Sequence, residues 1–247
     1  MKLRIVAWNC NMGLHDKWEH LHALAPDIAI IPECAEPDVL RRRAPEFQFS
    51  DCEWQGERND KGLGVFAFGG VALRRHQSWD RQYHLFLPIE VRGPFKLNLL
   101  AVWAFNHRAP ATVTPNPRTT RSALAHYAPF LKAAPAAVAG DFNASVFWDN
   151  QPAYERFTDV NSDLHALGLE SVYHSVNGHD LGHEPDATLY WQRNLAKRYH
   201  IDYIYLPAAW RSVVQSVSVG GAAEWVSRSD HAPLVVEVDL PQTMASG

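Results

Sequence analysis

The chain has 247 residues, of which 47% are hydrophobic, so it is long enough and apolar enough to bury a full core. Its 23 basic and 27 acidic residues give a net charge of −4, which argues against a protein that grips nucleic acid by general electrostatic attraction. A local basic groove remains compatible with this charge.

Cellular context follows from what the sequence lacks. The first residues have no long uncharged apolar core of the signal-peptide kind, and no later run has the length of a membrane span. The three cysteines show no C-x-x-C spacing, so we expect reduced, mostly buried thiols. We expect a cytoplasmic monomer without membrane contact, with one domain over residues 1–240 and a C-terminal tail over 241–247.

The first predicted βαβ unit places polar residues at two strand ends. Residues 3–8 and 28–31 are apolar enough for central strands, and helical spacing of apolar residues predicts a helix over 16–25. Because strands joined in this way lie parallel, Asn9 and Glu33 are expected at the same edge of the sheet.

Glu33 follows directly after an apolar strand. A carboxylate in that position is costly to bury unless a metal or an arginine compensates it. The alternative is a solvated strand end, where the carboxylate needs no partner.

The middle of the chain predicts antiparallel strands. Residues 41–60 are polar and irregular and predict no regular element. Short strands without helices between them are typical of antiparallel pairing, and they are predicted over residues 61–68, 71–73, 83–87, 89–91 and 95–103.

A second βαβ unit ends in the most informative motif of the chain. A helix predicted over residues 119–131 leads to an apolar strand over 136–139, and Gly140 then allows a sharp turn. Asp141 and Asn143 are expected on the same side, because alternate residues of extended chain point the same way. An acid and an amide at such a strand end are typical of a ligand site, and the alternative is an ordinary turn.

The last third of the chain contains an isolated acid and a histidine near predicted strands. A helix is predicted over residues 159–167, and strands over 188–191, 199–206 and 234–238. Residues 174–183, rich in His and Gly, predict an exposed loop with surface histidines. Asp202 lies inside an apolar run and His231 precedes the closing strand, so a pair across neighbouring strands would satisfy both. Such a pair orients the imidazole and favours its charged form, and Asp230 adds a third acid beside it.

Several of these motifs resemble, in order and spacing, the endonuclease/exonuclease/phosphatase superfamily, with its exonuclease III and DNase I-like fold. The matching motifs are Trp8-Asn9, Pro32-Glu33, Gly140-Asp141-Phe142-Asn143, Ile201-Asp202-Tyr203 and Ser229-Asp230-His231-Ala232-Pro233. The resemblance runs from about residue 3 to about residue 239. It implies an α/β (α+β) fold, a four-layer αββα sandwich of two mixed β-sheets flanked by helices. It also implies phosphoester hydrolysis assisted by Mg²⁺ or Mn²⁺.

The resemblance also implies a metal site. Glu33 matches the principal metal ligand, with Asn9, Asn11 and Asp230 near or in its coordination shell. Electrostatics gives an independent reason: if Glu33, Asp141 and Asp230 converge, each pair at about 4 Å costs roughly 4 kcal/mol at an effective dielectric constant of 20. A divalent cation removes that repulsion, and oxygen ligands select Mg²⁺ or Mn²⁺ over zinc.

The catalytic roles are carried over from the same motifs. Asp141 would position or deprotonate the attacking water, and Asn143 would hold the water and the phosphate. His231, oriented by Asp202, would stabilise the charged transition state. These roles agree with the chemistry expected from the residue types alone.

One position departs from the family pattern. Many members have His or Tyr contacting the phosphate where this chain has Trp103, and tryptophan can donate only through its indole N–H. The phosphate contact then passes to Asn106, which matches an Asn of the abasic-site nuclease relatives, or to His107 or Arg108. Trp103, Asn106 and Arg108 are therefore the substrate-binding candidates.

The sequence leaves the substrate open. A nuclease that acts on DNA or RNA competes with a phosphatase or phosphodiesterase for a small-molecule or lipid phosphoester. A binding module on a decayed catalytic frame would be expected to have lost one motif residue, and Glu33, Asp141, Asn143, Asp202 and His231 are all present. If nucleic acid is the substrate, the cationic candidates are Arg108, Arg118 and Arg121.

Overall fold

The computed structural model describes residues 1–94, 96–105, 119–151 and 155–241. Across these ranges, two six-stranded β-sheets pack face to face, and α-helices cover their outer faces. This arrangement confirms the expected four-layer sandwich of mixed sheets. The predicted loop over residues 110–117 and the candidates Asn106, His107, Arg108 and Arg118 lie outside the described residues.

The strands, in chain order, are β1 (Lys2–Ala7), β2 (Ile28–Cys34), β3 (Asp51–Arg58), β4 (Lys61–Ala67), β5 (Ala72–Arg75), β6 (Phe86–Arg92), β7 (Leu97–Trp103), β8 (Ala136–Asp141), β9 (Leu169–Ser171), β10 (Leu189–Tyr190), β11 (Arg198–Tyr199), β12 (Asp202–Pro207), β13 (Val214–Val219) and β14 (Leu234–Asp239). The α-helices are α1 (Trp18–Ala23), α2 (Pro37–Arg43), α3 (Thr120–Lys132), α4 (Phe157–Ala166), α5 (Val172–Asn177) and α6 (Ala222–Trp225). Short 3-10 turns connect several of these elements.

The first sheet has the strand order β13-β14-β1-β2-β4-β3. As predicted, β1 and β2 are parallel, and the other neighbours are antiparallel. Leu3 and Ile5 of β1 pack into the core between the sheets, whereas Val6 packs with the apolar faces of the helices. Because both faces of this strand are buried, its sequence reads as a nearly continuous apolar run.

The second sheet has the order β5-β6-β7-β8-β12-β9. Here β7 and β8 are parallel, and the remaining neighbours are antiparallel. The helix α3 packs against β6, β7 and β8, and Thr119 caps its N-terminus with its hydroxyl oxygen, which accepts from the amide of Ser122. The two parallel pairs therefore end in residues that bear polar side chains: Asn9 and Glu33 on one sheet, and Asp141 on the other.

Some predicted boundaries are wrong. Residues 41–60 contain the end of α2 and the whole of β3, an edge strand of mostly half-buried residues that shows no clear alternation. The predicted helix over 16–25 is shorter, because Ala25 already has φ 48°. The strands predicted over 83–87 and 89–91 are one strand, β6, in which Pro88 lies beyond the end of β5.

The histidine-rich segment is also different from its prediction. Residues 172–177 form α5, and His174 on this helix has a side chain only 11% exposed. The predicted strand over 199–206 is interrupted at His200 and Ile201, so that it forms β11 and β12 in different sheets. The helix α5 has only 6 residues, so the helical spacing of its apolar residues is not recognisable among the many polar neighbours.

Among the described helices, none combines the length and the apolar character needed to cross a bilayer. The cysteines are free thiols: Cys10 and Cys34 are buried and Cys52 is partly buried. Burial raises the pKa of the Cys10 thiol to about 12. The expectation of mostly buried thiols is confirmed.

Candidate active site between the two sheets

Gly140 sets the position of the central carboxylate. Its φ is 136°, and a Cβ atom built there would lie 2.0 Å from the carbonyl oxygen of Val102. Only glycine therefore permits this close approach of β8 to β7. The register places Asp141 beside Trp103, at the ends of the two parallel strands.

Asp141 is fully buried and is surrounded by amides. The backbone N–H of Asn143 donates to its Oδ1 at 2.8 Å, and the side-chain amide of Asn143 donates to its Oδ2 at 3.0 Å. The amide of Asn9, from the other sheet, donates to the same Oδ2 at 2.9 Å. The predicted Asp141–Asn143 proximity is present, but it arises from a turn with Asn143 at φ 47° and not from alternation along extended chain.

The environment of Asp141 makes it a weak acid. Burial raises the pKa of its carboxyl to about 7, the charge of Asp202 adds to this rise, and His231 and the amide of Asn9 act against it. A carboxylate with a pKa near 7 is suited to accept a proton from water at neutral pH.

Asp202 and His231 form the expected pair. Nδ1 of His231 lies 2.8 Å from Oδ2 of Asp202, and their side chains are 6% and 0% exposed. Contrary to the prediction, the pair does not lie across neighbouring strands of one sheet. Asp202 begins β12 of the second sheet, where it is opposite Asp141, and His231 precedes β14 of the first sheet. The hydrogen bond therefore joins the two sheets.

The backbone around His231 is held by two residues of the matching motifs, Ser229 and Trp8, for which the sequence indicates no role. The hydroxyl oxygen of Ser229 accepts from the N–H of His231 at 3.0 Å, and the hydroxyl donates to the carbonyl of Asn9 at 2.8 Å. The indole of Trp8 donates to the carbonyl of His231 at 3.1 Å. Ser229 stands within the motif before His231, and that was the only sequence signal for it.

His231 is a strong base in this environment. Burial alone would lower the pKa of its imidazole, but the charges of Asp202 and Asp141 and the hydrogen bond that the ring donates to Asp202 raise it to about 10. The imidazole is therefore charged at neutral pH. Its Nε2 makes no hydrogen bond to any residue that the structure describes.

These three side chains form a compact group. One ligand atom from each of Asp141, Asp202 and His231 lies within 4.8 Å of the others, and among the described residues no other group of three acidic, histidine or cysteine side chains is this close. Oδ1 of Asp202 is buried and has no hydrogen-bond partner within the described residues. A buried carboxylate oxygen without a partner is costly unless a ligand supplies one.

Asp230 and Asn11 approach this group from the loop before β14 and the loop after β1. The side-chain amide of Asn11 donates to Oδ1 of Asp230 at 2.7 Å, and its backbone N–H donates to Oδ1 of Asn9 at 2.9 Å. Asn11 has φ 47°, a strained value for a residue with a side chain. Asn9, Asn11 and Asp230 thus form a hydrogen-bonded set whose side-chain oxygens could act as metal ligands at one edge of the site.

Glu33 stands apart from the other carboxylates. It lies at a β-bulge in β2 with φ 61°, and its Oε2 is 3.0 Å from Nζ of Lys61. Glu33, Asp141 and Asp230 do not form a group with oxygens within 4.8 Å of one another in the described part of the chain. The sequence predicts a metal or an arginine beside Glu33, whereas its partner among the described side chains is Lys61, which comes from β4.

The residues present fit a divalent cation. Glu33 and Asp230 offer carboxylate oxygens, and Asn9 and Asn11 offer amide oxygens, a set of hard donors that suits Mg²⁺ or Mn²⁺. Oδ1 of Asp202, in the group with Asp141 and His231, is a buried oxygen without a partner among the described residues.

Two of the substrate-binding candidates, Trp103 and Arg121, lie in the described part of the chain. The indole nitrogen of Trp103 is buried and has no partner among the described residues, so the indole N–H is not accessible to a phosphate in this conformation. Arg121 lies on α3 and is paired with Asp163 at 2.7 Å and Asp159 at 3.6 Å. These ion pairs occupy its guanidinium on the outer helical layer.

Neither a protein-family model nor a curated protein sequence matches the chain. Solved structures do. A 3′ phosphatase from Neisseria bound to a product DNA hairpin superposes with a TM-score of 0.71 at 18% identity, over 96% of this chain and 100% of that one. An AP endonuclease from Archaeoglobus fulgidus gives 0.69 at 15% identity, over 96% of this chain and 100% of the other.

A third similar structure carries the superfamily's name. It is an endonuclease/exonuclease/phosphatase from Beutenbergia cavernae, with a TM-score of 0.64 at 16% identity, over 97% of this chain and 72% of that one. At these identities the similarity establishes the fold. The chain has the endonuclease/exonuclease/phosphatase fold, as its motifs predicted.

Proposed function

We propose that this protein is a divalent-metal-dependent phosphoesterase that hydrolyses phosphodiester bonds, and that it is a nuclease. The observation that carries the proposal is the buried group of Asp141, Asp202 and His231, which joins the facing edges of the two sheets. Buried titratable groups with strongly shifted pKa values, such as Asp141 and His231, are typical of functional sites.

Asp141 is the group that handles the attacking water. With its pKa raised to about 7, chiefly by burial, its carboxylate holds a proton more readily than an exposed aspartate does. The amides of Asn143 and Asn9 fix both of its oxygens, so the carboxylate has one orientation. Asn143 also donates to the carbonyl of Ala104 at 2.9 Å, which holds its amide beside the reacting water.

His231 is the group that meets the developing charge on the phosphate. Asp202 accepts from Nδ1, and because the pKa of the imidazole is raised to about 10, the other nitrogen, Nε2, also carries a proton at neutral pH and can donate it. A charged donor fixed in a buried site stabilises an anionic transition state more strongly than one in water. The imidazolium would therefore stabilise the transition state.

A cation would be held by Glu33 and Asp230, with the amide oxygens of Asn9 and Asn11 near it. When bound, such a cation neutralises phosphate charge and lowers the pKa of a coordinated water. Because the side-chain amide of Asn9 donates to Asp141, Asn9 would hold the proton acceptor in a fixed position relative to the cation.

A second candidate is a phosphodiesterase for a small or lipid phosphoester. It is favoured by the net charge of −4 and by the pairing of Arg121 with acids, which leaves that side chain little capacity for a polyanion. DNA is favoured by the solved neighbours, one of which is bound to a DNA hairpin.

An activity panel separates these functions. Purified protein is assayed with Mg²⁺, with Mn²⁺ and with chelator on bis(p-nitrophenyl) phosphate, single- and double-stranded DNA, DNA with an abasic site, RNA and phospholipid headgroup esters. We expect metal-dependent cleavage of the small diester and of a nucleic acid. Cleavage of small or lipid esters alone would select the second candidate, and no cleavage with any metal would contradict both.

A further inference from the structure

Lys61 lies where the two sheets face each other at the candidate active site. It begins β4 of the first sheet, and its Nζ is 3.0 Å from Oε2 of Glu33. The same nitrogen lies 5.4 Å from the ring centroid of Trp103, at the end of β7 in the second sheet. Because Trp103 is in register with Asp141, Lys61 spans the gap between the Glu33 side of the site and the Asp141 side.

The donors of Lys61 are not all used. An ammonium group carries three N–H donors, and Glu33 is its one ion-pair partner within the described residues. The side chain of Lys61 is 36% exposed and that of Glu33 is 19% exposed, so the ion pair is partly open to solvent. An aromatic face attracts the cation and holds it in this position without using a donor.

Trp103 cannot supply the phosphate contact itself. Its indole nitrogen is buried, so Trp103 itself offers no accessible donor where many members of the superfamily have His or Tyr. The ammonium group of Lys61, held over the ring, is a donor in the described part of the chain.

A cavity opens beside Lys61. Its volume is about 290 Å³, near the lower end of the range of about 300 to 1,000 Å³ for small-molecule sites. Phe105 and Trp103 form an aromatic wall, with ring centroids 5.0 Å apart. Arg58 and Glu57 also line the cavity, and Arg58 is paired with a neighbouring acid. A lysine beside an aromatic wall suits a phosphate with an attached planar group.

We propose that Lys61 binds the substrate phosphate, and that the cavity beside it takes the group esterified to that phosphate. The proposal rests on the proposed function and assigns it a phosphate-binding residue that comes from β4 and not from the end of β7. The ligand class is a phosphate monoester or diester that carries a nucleoside-sized group. Lys61 also shares Glu33 with any cation that binds there, so removal of the lysine should not weaken metal binding.

Calorimetry tests this role without turnover. Thymidine 5′-monophosphate and, separately, Mn²⁺ are titrated into wild-type protein and into Lys61→Met, Lys61→Gln and Lys61→Arg. Lys197→Met, at an exposed lysine outside the site, is the matched control. We expect Lys61→Met and Lys61→Gln to weaken nucleotide binding by about tenfold or more, because a hydrogen bond to a charged group is lost. Lys61→Arg should keep most of the affinity, Mn²⁺ affinity should be unchanged or higher, and the control should match wild type.

The outcomes separate this inference from the proposed function. Unchanged nucleotide affinity in both Lys61→Met and Lys61→Gln overturns the phosphate role. A parallel loss of Mn²⁺ affinity also overturns it, because Lys61 would then act by holding Glu33. Thermal unfolding shows whether each variant is folded like wild type. If one of the two variants is not, the nucleotide affinity of the other decides. If wild-type protein binds the nucleotide but cleaves no diester with any metal, the proposed function fails while the binding role of Lys61 stands.

Discussion

Two buried histidine–carboxylate pairs in this protein have nearly the same geometry and different surroundings. Nδ1 of His231 is 2.8 Å from Asp202, and Nε2 of His174 is 2.9 Å from Glu184. All four side chains are at most 11% exposed. Distance and burial alone therefore do not distinguish the two pairs.

The pair on α5 is complete. The second ring nitrogen of His174 lies 2.7 Å from the hydroxyl of Ser171, and Glu184 also accepts from the N–H of Gly182 at 2.9 Å. Burial alone would raise the pKa of Glu184, but the hydrogen bonds from His174 and Gly182 lower it. A fully satisfied pair of this kind stabilises the loop that follows the helix.

The pair at the active site is incomplete. Nε2 of His231 and Oδ1 of Asp202 make no hydrogen bond to described residues, and a further buried carboxylate, Asp141, lies against them. Buried polar atoms are nearly always satisfied, so the exceptions point to a site where a ligand completes the set. The unsatisfied atoms, and not the histidine–carboxylate pair itself, therefore mark the reactive site.

The largest expected difference between the two pairs comes from replacing each histidine by glutamine in a separate variant. His231→Gln should lower the rate of diester hydrolysis by about 10²- to 10⁴-fold, the usual range for a positioned acid–base group. His174→Gln should leave the rate within about twofold of wild type, because its ring contacts no group of the active site. Steady-state kinetics on bis(p-nitrophenyl) phosphate with Mn²⁺ measures both, and equal losses would remove the distinction between the pairs.

Asp202 and His231 should act as one unit. Asp202→Asn leaves the imidazole without the partner that charges and orients it, so the double variant should lose about as much rate as the worse single variant. The measurement is a double-mutant cycle on kcat/KM. Strictly multiplying losses would mean that the two residues work separately.

Glu33→Ala should weaken Mn²⁺ binding by at least about tenfold, since a charged oxygen donor is lost from the proposed shell. Glu184→Ala is the matched control, because it removes a buried carboxylate away from the site. Calorimetry gives the affinities, and circular dichroism shows that each variant is folded. Unchanged Mn²⁺ affinity in Glu33→Ala would contradict its assignment as a ligand.

His174→Ala should cost stability and not activity. It leaves the Glu184 carboxylate buried without its partner, a change that costs about 3 kcal/mol and lowers Tm by roughly 6 to 12 °C. Because the pKa of Glu184 is lowered in the folded state, its contribution is full above about pH 4.5 and is lost as pH falls further. Thermal unfolding from pH 7 to pH 3 should therefore show the two Tm values converging in acid.

Local patterns were enough to predict the strand ends that carry the site. Gly140-Asp141-Phe142-Asn143 follows an apolar run, so a turn bearing an acid could be expected there. That Asp202 and His231 would meet could also be expected, since each is an isolated polar residue in or next to an apolar run. Their membership of different sheets depends on strand order, which no local pattern contains.

The remaining features depend on contacts between distant residues. Lys61 reaches Glu33 only because β4 pairs with β2, and the lysine itself looks like any residue at a strand start. In the sequence His174 looks like a surface histidine, because nothing in the local pattern shows that its ring contacts Glu184. β3 was missed because every residue of this edge strand is half-buried or exposed, so its alternation is weak.

Asp141→Asn offers the most direct test of the central claim, which is that the buried group at the junction of the sheets performs metal-dependent phosphodiester hydrolysis. Wild-type protein and the variant are compared on bis(p-nitrophenyl) phosphate with Mn²⁺ and with chelator, and Mn²⁺ affinity is measured in parallel. We predict that chelator abolishes wild-type turnover and that Asp141→Asn loses at least about 10²-fold in kcat while it keeps its Mn²⁺ affinity. A variant as active as wild type, or a wild-type rate that chelator does not change, would contradict the claim.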